Sequence, residues 1–207
     1  LTALFSSPFT YLPNLVDTTF FKPPKTNEKR DYFTFVNIAS MKKNKNQEML
    51  INAFYSTFGN ESCIKLLVIG EGPELNNLKS LVKSKGINNN ITFCGAKDRN
   101  EILGILQKTN RLVVSSHYET FGIVLIEAMS CGVPVVSTQC GGSESIIRDD
   151  RLGELCEIDQ EALARGLRNS YEKLYDSRYI RRFVIKEFSA DKISLELVNH
   201  YKEILQN

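Results

Sequence analysis

The chain has 207 residues, 42% of them hydrophobic and 24% charged, with a formal net charge of +2. This is the make-up of one large soluble domain with enough apolar material for a core. Acids and bases alternate along it, which removes whole-molecule attraction to nucleic acid as a basis for function, and no apolar run reaches bilayer length.

The chain opens at Leu1 without methionine, and "LTALFSSPFT" has neither the basic start nor the apolar length of a signal peptide, so a piece of a longer protein is expected. Residues 1–30, rich in Pro, Ser and Thr, read as an N-terminal linker, and residues 31–207 as the folded domain. Within that domain, "FTFVNIA" precedes "KNQEMLINAFYSTF", "CIKLLVIG" precedes "PELNNLKSLVKSKG", and "NITFCG" precedes "RNEILGILQKT". "RLVVSS" then precedes "GIVLIEAMSCG", and "VPVVST" follows. Strand-like runs alternating with helical stretches predict an α/β fold, a doubly wound, mostly parallel sheet that binds ligands at the carboxyl ends of its strands. From residue 161 onward the chain reads as two or three amphipathic helices packed outside the sheet. The dispersed Cys63, Cys94, Cys131, Cys140 and Cys156 suit reduced thiols of a cytoplasmic protein rather than a disulfide framework.

"RLVVSSHYETFGIVLIE" carries the densest chemistry. The strand delivers "HYETFG" as a tight loop, and Gly122 lets the backbone approach a ligand before the helix begins. The free N–H groups of Gly122, Ile123, Val124 and Leu125 then form a phosphate site at the positive end of the helix dipole. Glu127, one turn further in, is placed to accept both hydroxyls of a ribose, and Glu119, in the loop, to meet sugar hydroxyls. Taken alone, Glu119 could equally complement a helix N-terminus and Glu127 solvate a helix face. "GEGPEL" begins like a dinucleotide fingerprint, but Leu75 holds the place of the third glycine, which argues against NAD. There is no Cys-x2-Cys pair, no His-Glu-x2-His and no Asp-x-Asp, so no metal is expected. His117 precedes the loop motif, His200 lies on the last helix, and "RYIRRFVIK" reads as a solvated face or as a patch for an anionic membrane.

"ETFGIVLIE" with "AMSCGVPVV" and "CGGSESI" resembles the Glu-x7-Glu element of retaining two-lobed GT-B glycosyltransferases of the family 4 group. "YLPNLVDTTFFKP", "LLVIGEGPELNNL" and "ITFCGAKDRNEI" are similar to that family's other motifs in the same order, so the likeness covers nearly the whole chain. It implies a C-terminal, donor-binding lobe that moves a hexosyl group from a UDP- or GDP-sugar to a glycan or lipid-linked acceptor. The acceptor lobe is expected to be missing here, leaving the chain alone inactive, with no cofactor beyond the donor; a cytoplasmic location is expected, with the basic cluster allowing peripheral contact with the inner face of the membrane. Glu119 and Lys45 are implied as catalytic, Lys45 neutralising the diphosphate. Ser40, Gly70, Gly72, Phe121 and the backbone of Ala96 and Lys97 are implied to line the donor.

Two departures bear on this. Ala39-Ser40 stands where the family often has Gly-Arg, which removes a bidentate phosphate contact that Ser40 with backbone groups, or Lys42 or Lys43, would have to replace. Thr120 replaces a glycine beside the sugar pocket. Four alternatives stay open: a GT-B epimerase, a phosphorylase, a non-catalytic module with a degenerate pocket, and a receiver-like signalling domain. The last needs acids after the first strand, where "VNIASMKKNK" offers bases.

Overall fold

The computed structural model describes residues 11–25 and 31–206. Six runs form one parallel sheet: β1 (Phe33–Ile38), β2 (Ile64–Ile69), β3 (Ile91–Phe93), β4 (Arg111–Val114), β5 (Val135–Thr138) and β6 (Gly153–Cys156). Their order is β3-β2-β1-β4-β5-β6. The expected doubly wound α/β fold is therefore the observed one. Strand β6, "GELC", was not anticipated; it starts on glycine, lacks β-branched residues, and owes its conformation to pairing with β5.

Helices α1 (Gln47–Phe58), α2 (Leu75–Ser84) and α6 (Gln160–Glu172) pack on one face of the sheet. Helices α3 (Arg99–Leu106), α4 (Ile123–Ser130), α5 (Ser143–Ile146) and α7 (Ser177–Phe188) cover the other, and α8 (Ala190–Gln206) lies against α7. Alternation along β1 feeds both cores, Phe35 to the first and Val36 to the second. The first is aromatic, with Phe58 centred 5.5 Å from Phe35, 5.6 Å from Phe54 and 5.5 Å from Tyr171. Each fully buried ring of this kind stabilises the fold by roughly 1.5–3 kcal/mol. Residues 1–10 and 26–30 of the expected linker lie outside the described residues, whereas the stretch between them packs on the domain. There Val16 and Phe21 are buried, and the Val16 N–H donates to the Phe188 carbonyl at 2.8 Å.

The sheet divides between β1 and β4. β1 pairs with β2 from Phe33↔Ile64 to Ile38↔Ile69, but with β4 only at Phe35↔Arg111 and Val36↔Leu112. Just beyond, Asn37 Nδ2 donates to the Val113 carbonyl at 2.9 Å, so a side chain makes the last bond between strands that are separating. Helices α1 and α4 leave toward opposite faces, which makes this splay the switch point where ligands of open α/β sheets bind.

The β2–α2 turn is pressed onto the end of β1. Gly70 has φ +130°, and a Cβ there would lie 2.0 Å from the Ala39 carbonyl oxygen. Gly70→Ala is expected to cost about 3 kcal/mol in equilibrium urea denaturation. Gly86→Ala, at φ +69° with nothing within 4 Å of the added carbon, is expected to cost only about 1 kcal/mol. Equal losses would show that φ strain alone, and not the close approach, sets the penalty.

Candidate active site

Two loops meet over the splay. After β1, Ser40 to Asn46 pass through a single 3-10 turn (Lys43–Lys45), and Asn46 takes a left-handed conformation, φ 52°, to start α1. After β4, residues 115–122 lead into α4. Lys45 and Glu119, 74 residues apart in sequence, form an ion pair across the gap. Their side chains are only 19% and 20% exposed, so Lys45 is not one of the segment's solvated surface lysines. Two buried serines at the end of β4, which sequence reasoning missed, hold the pair. Ser115 Oγ donates to the Lys45 carbonyl at 2.9 Å, and Ser116 Oγ to Glu119 Oε1 at 3.0 Å. The Glu119 N–H donates to the Cys140 carbonyl at 2.8 Å, tying this loop to the one after β5.

Helix α4 begins at Gly122, φ 91°, without a side-chain cap. Among the described residues the N–H groups of Gly122, Ile123 and Val124 make no hydrogen bond, but that of Leu125, expected to be free with them, is taken. Its N–H donates to the Gly122 carbonyl at 2.9 Å, because the chain tightens into an i→i−3 turn there. The Phe121 side chain is buried against Phe188, with ring centroids 5.8 Å apart, so only its backbone faces the site. Glu127 follows one turn into this apolar helix, and burial pushes its carboxyl up to about 7 although Arg99 on α3 pulls it down. Arg99 in turn lies over the Phe20 ring at 4.3 Å.

The remaining predicted residues border the same edge. Gly70 donates its N–H to the Gly95 carbonyl at 2.9 Å, and Gly72, at φ 156°, packs against the Met41 backbone; both shape the loop wall. The Ala96 N–H, one of the expected base-facing groups, is held by Glu71 Oε1 at 3.4 Å, while the Lys97 side chain pairs with Glu101 at 2.8 Å. Ser40 is exposed and accepts Gln47 Nε2 on its carbonyl at 3.1 Å. Lys42, Lys43 and the exposed His117 line a cleft of about 240 Å³ alongside, together with the carboxylates of Glu48 and Glu74. A larger cavity of about 620 Å³, lined by Arg111, Pro134, Tyr175 and Arg181, opens at the amino ends of β4 and β5, the opposite edge of the sheet.

Elsewhere the basic cluster is partly turned inward, since Arg181 donates to the carbonyls of Thr18, Phe21 and Ser130. Arg178 and Arg182 remain exposed. His200 faces Glu203 at 3.4 Å. The cysteines are free thiols. Among the described residues no helix is long and apolar enough to cross a membrane, and no three His, Cys, Asp or Glu side chains are grouped to hold a metal ion.

The family model for glycosyl transferases group 1 matches residues 18–181. Among curated proteins, N-acetyl-alpha-D-glucosaminyl L-malate synthase of Bacillus anthracis is 28% identical over 209 residues, taking in 94% of this chain and 53% of that protein. Among solved structures, Anabaena HepE in complex with UDP and glucose is similar at a TM-score of 0.80 and 18% identity, over 92% of this chain and 56% of that one. The C-terminal domain of a glycosyl transferase group 1 family protein (LpcC) from Francisella tularensis is similar at a TM-score of 0.69 and 26% identity, over 88% of this chain and 98% of that one. The chain spans roughly a third to a half of the length of the curated relatives it matches.

The raised Glu127 carboxyl has a direct thermodynamic signature. The folded protein holds this proton more tightly than the unfolded chain, so its contribution is neutral below the ordinary value of 4.5 and increasingly destabilising as pH rises toward 7. Glu127→Gln is therefore expected to stabilise the protein by about 1–2 kcal/mol at pH 8 relative to its effect at pH 4.5, measured by urea denaturation of both proteins at each pH. A difference that does not change with pH would show that Glu127 is as well solvated folded as unfolded.

Proposed function

The chain belongs to the glycosyl transferases group 1 family, and from that membership we propose that it is the donor-binding lobe of a retaining hexosyltransferase that uses a UDP- or GDP-sugar. The observation that carries the reading is the meeting of Lys45 and Glu119 over the β1/β4 splay, beside the open N–H groups of α4. In this reading the diphosphate lies over Gly122, Ile123 and Val124, with Lys45 turned onto it, the ribose hydroxyls donate to Glu127, and sugar hydroxyls donate to Glu119. HepE, which shares the fold, was crystallised with UDP and glucose, and that supports a uridine donor.

The chemistry then follows from charge. The bond from the anomeric carbon to the diphosphate oxygen breaks, and its electron pair leaves with the diphosphate. The acceptor hydroxyl attacks the same face, and its proton passes to the departing oxygen. Lys45 and the start of α4 meet the charge that develops on the leaving group, so the residues present supply that stabilisation without a metal. Lys42 and Lys43, which follow Ser40 in the same loop, would supply further positive charge to the diphosphate, although Glu48 and Glu74 line the cleft they share. The acceptor, a glycan or lipid-linked molecule, is brought by a further lobe of the longer protein, and the exposed Arg178 and Arg182 favour contact with an anionic membrane at its cytoplasmic face. Ala39-Ser40 favours a second reading, a nucleotide-binding module with a degenerate pocket and no transfer activity.

Calorimetric titration of this chain with UDP, GDP and ADP tests the proposal. One nucleotide is expected to bind, and Lys45→Ala to weaken it about tenfold or more through loss of a charge-assisted contact. Glu119→Gln is expected to tighten the bare diphosphate about threefold to tenfold, because the variant releases the ammonium from its ion pair. Saturable binding that neither substitution changes would move the nucleotide elsewhere on the protein, and no binding by any of the three would overturn the donor reading for this chain.

A further inference from the structure

Ser115 and Ser116 are adjacent, and because side chains alternate along an extended strand they leave the end of β4 toward opposite faces of the sheet. Both are buried, at 0% and 2% exposure. Neither hydroxyl serves the sheet. Ser115 Oγ grips the loop after β1 through the Lys45 carbonyl at 2.9 Å, while Ser116 Oγ grips the loop after β4 through Glu119 Oε1 at 3.0 Å. The Ser116 backbone is itself fixed, since Thr138 Oγ1 at the end of β5 donates to its carbonyl at 2.6 Å. Lys45 and Ser116 both donate to Oε1 of Glu119, and among the described residues Oε2 has no partner.

From this arrangement we infer that Ser116 is a positioning residue that fixes the Glu119 carboxylate for the donor sugar, and that Ser115 fixes Lys45 for the diphosphate; the inference rests on the donor-lobe reading above. When the diphosphate draws Lys45 away, Glu119 loses its charged partner but keeps Ser116, so the carboxylate does not swing free. Oε1 stays bound to the protein and Oε2 is presented to a sugar hydroxyl. A carboxylate released by Lys45 without this hydroxyl would sample several rotamers, and the sugar would have to order it on arrival. The two serines thus divide one site, Ser115 acting on the part of the ligand common to donor and product nucleotide, Ser116 chiefly on the part the donor carries in addition.

The test is a pair of affinities for each protein, UDP against UDP-glucose and GDP against GDP-mannose, by calorimetry on this chain, using whichever pair the wild type binds. Ser116→Ala is expected to weaken the sugar conjugate about tenfold more than it weakens the bare diphosphate, with urea denaturation reporting that the fold is kept. Ser116→Thr, which keeps the hydroxyl, is expected to restore most of the preference for the conjugate. Ser115→Ala is expected to weaken both ligands in the same proportion. An unchanged preference in Ser116→Ala, or equal weakening of both ligands by that variant, overturns the inference alone. Failure of the wild type to bind any of the four overturns the donor-lobe reading and this inference with it.

Discussion

The organisation of the molecule turns on the separation of β1 from β4. The two strands share a ladder for two residue pairs and then part, with Asn37 reaching across to Val113 where backbone bonding stops. Lys45, Glu119 and the start of α4 all follow directly from these two strands. The Lys45–Glu119 pair closes the gap, and it is the only ion pair recorded among the described residues that joins the β1–α1 loop to the β4–α4 loop. A pair of charges with about a fifth of their surface exposed gives up much of its hydration, and Ser116 offsets part of that cost with a further bond to the carboxylate. The same geometry in an apolar core would serve stability poorly; at a switch point it keeps two charged groups ordered and reachable.

The helices show the same division between support and use. Away from the splay, α3, α6 and α7 begin on Asp98, Asp159 and Asp176, whose carboxylates take up first-turn N–H groups. At the splay, α1 and α4 begin on left-handed residues with no side-chain cap. Helix α4 tolerates an open start because Leu125, Ile126, Ala128 and Met129 are all buried, and this outweighs the roughly 1 kcal/mol that a cap contributes. The apolar packing that holds the helix also withdraws water from Glu127, which is why that carboxyl is pushed toward neutrality. One packing decision therefore leaves three N–H groups open and makes the neighbouring acid costly to ionise.

Much of this was legible in the sequence because it is written in period and punctuation. The alternation of "FTFVNIA", "CIKLLVIG" and "RLVVSS" with helical stretches defined the sheet, and the glycine before "IVLIEAMS" marked the start of α4. What escaped depends on tertiary placement. "GELC" has no strand pattern of its own and is drawn extended by β5. Arg181 sits in a run of bases that looks solvated, yet one turn of α7 aims it at three carbonyls. The Leu125 N–H is spent on an i→i−3 bond that spacing cannot show, and Ala96 meets a glutamate from a different loop. Ser115 and Ser116 were counted as strand residues. The signal that could have found them is the polar pair itself, two hydroxyls ending an otherwise apolar strand at the edge where ligands bind.

The self-paired state also bears on what kind of ligand the site selects. Lys45 and Glu119 satisfy each other, so neither is available without a replacement for its partner. A diphosphate alone satisfies Lys45 but leaves Glu119 partly desolvated, with only Ser116 donating to it. A sugar alone offers hydroxyls to Glu119 while leaving the ammonium without an anion. Either exchange exposes one poorly solvated charge, and at this burial that offsets much of what the new contact contributes. On the proposed reading, a molecule that carries diphosphate and sugar together would complete both exchanges at once, and its ribose hydroxyls would offset the cost of ionising Glu127. A preference for a sugar nucleotide over its parts would then follow from the pair itself, because only one ligand carrying both groups would meet both charges.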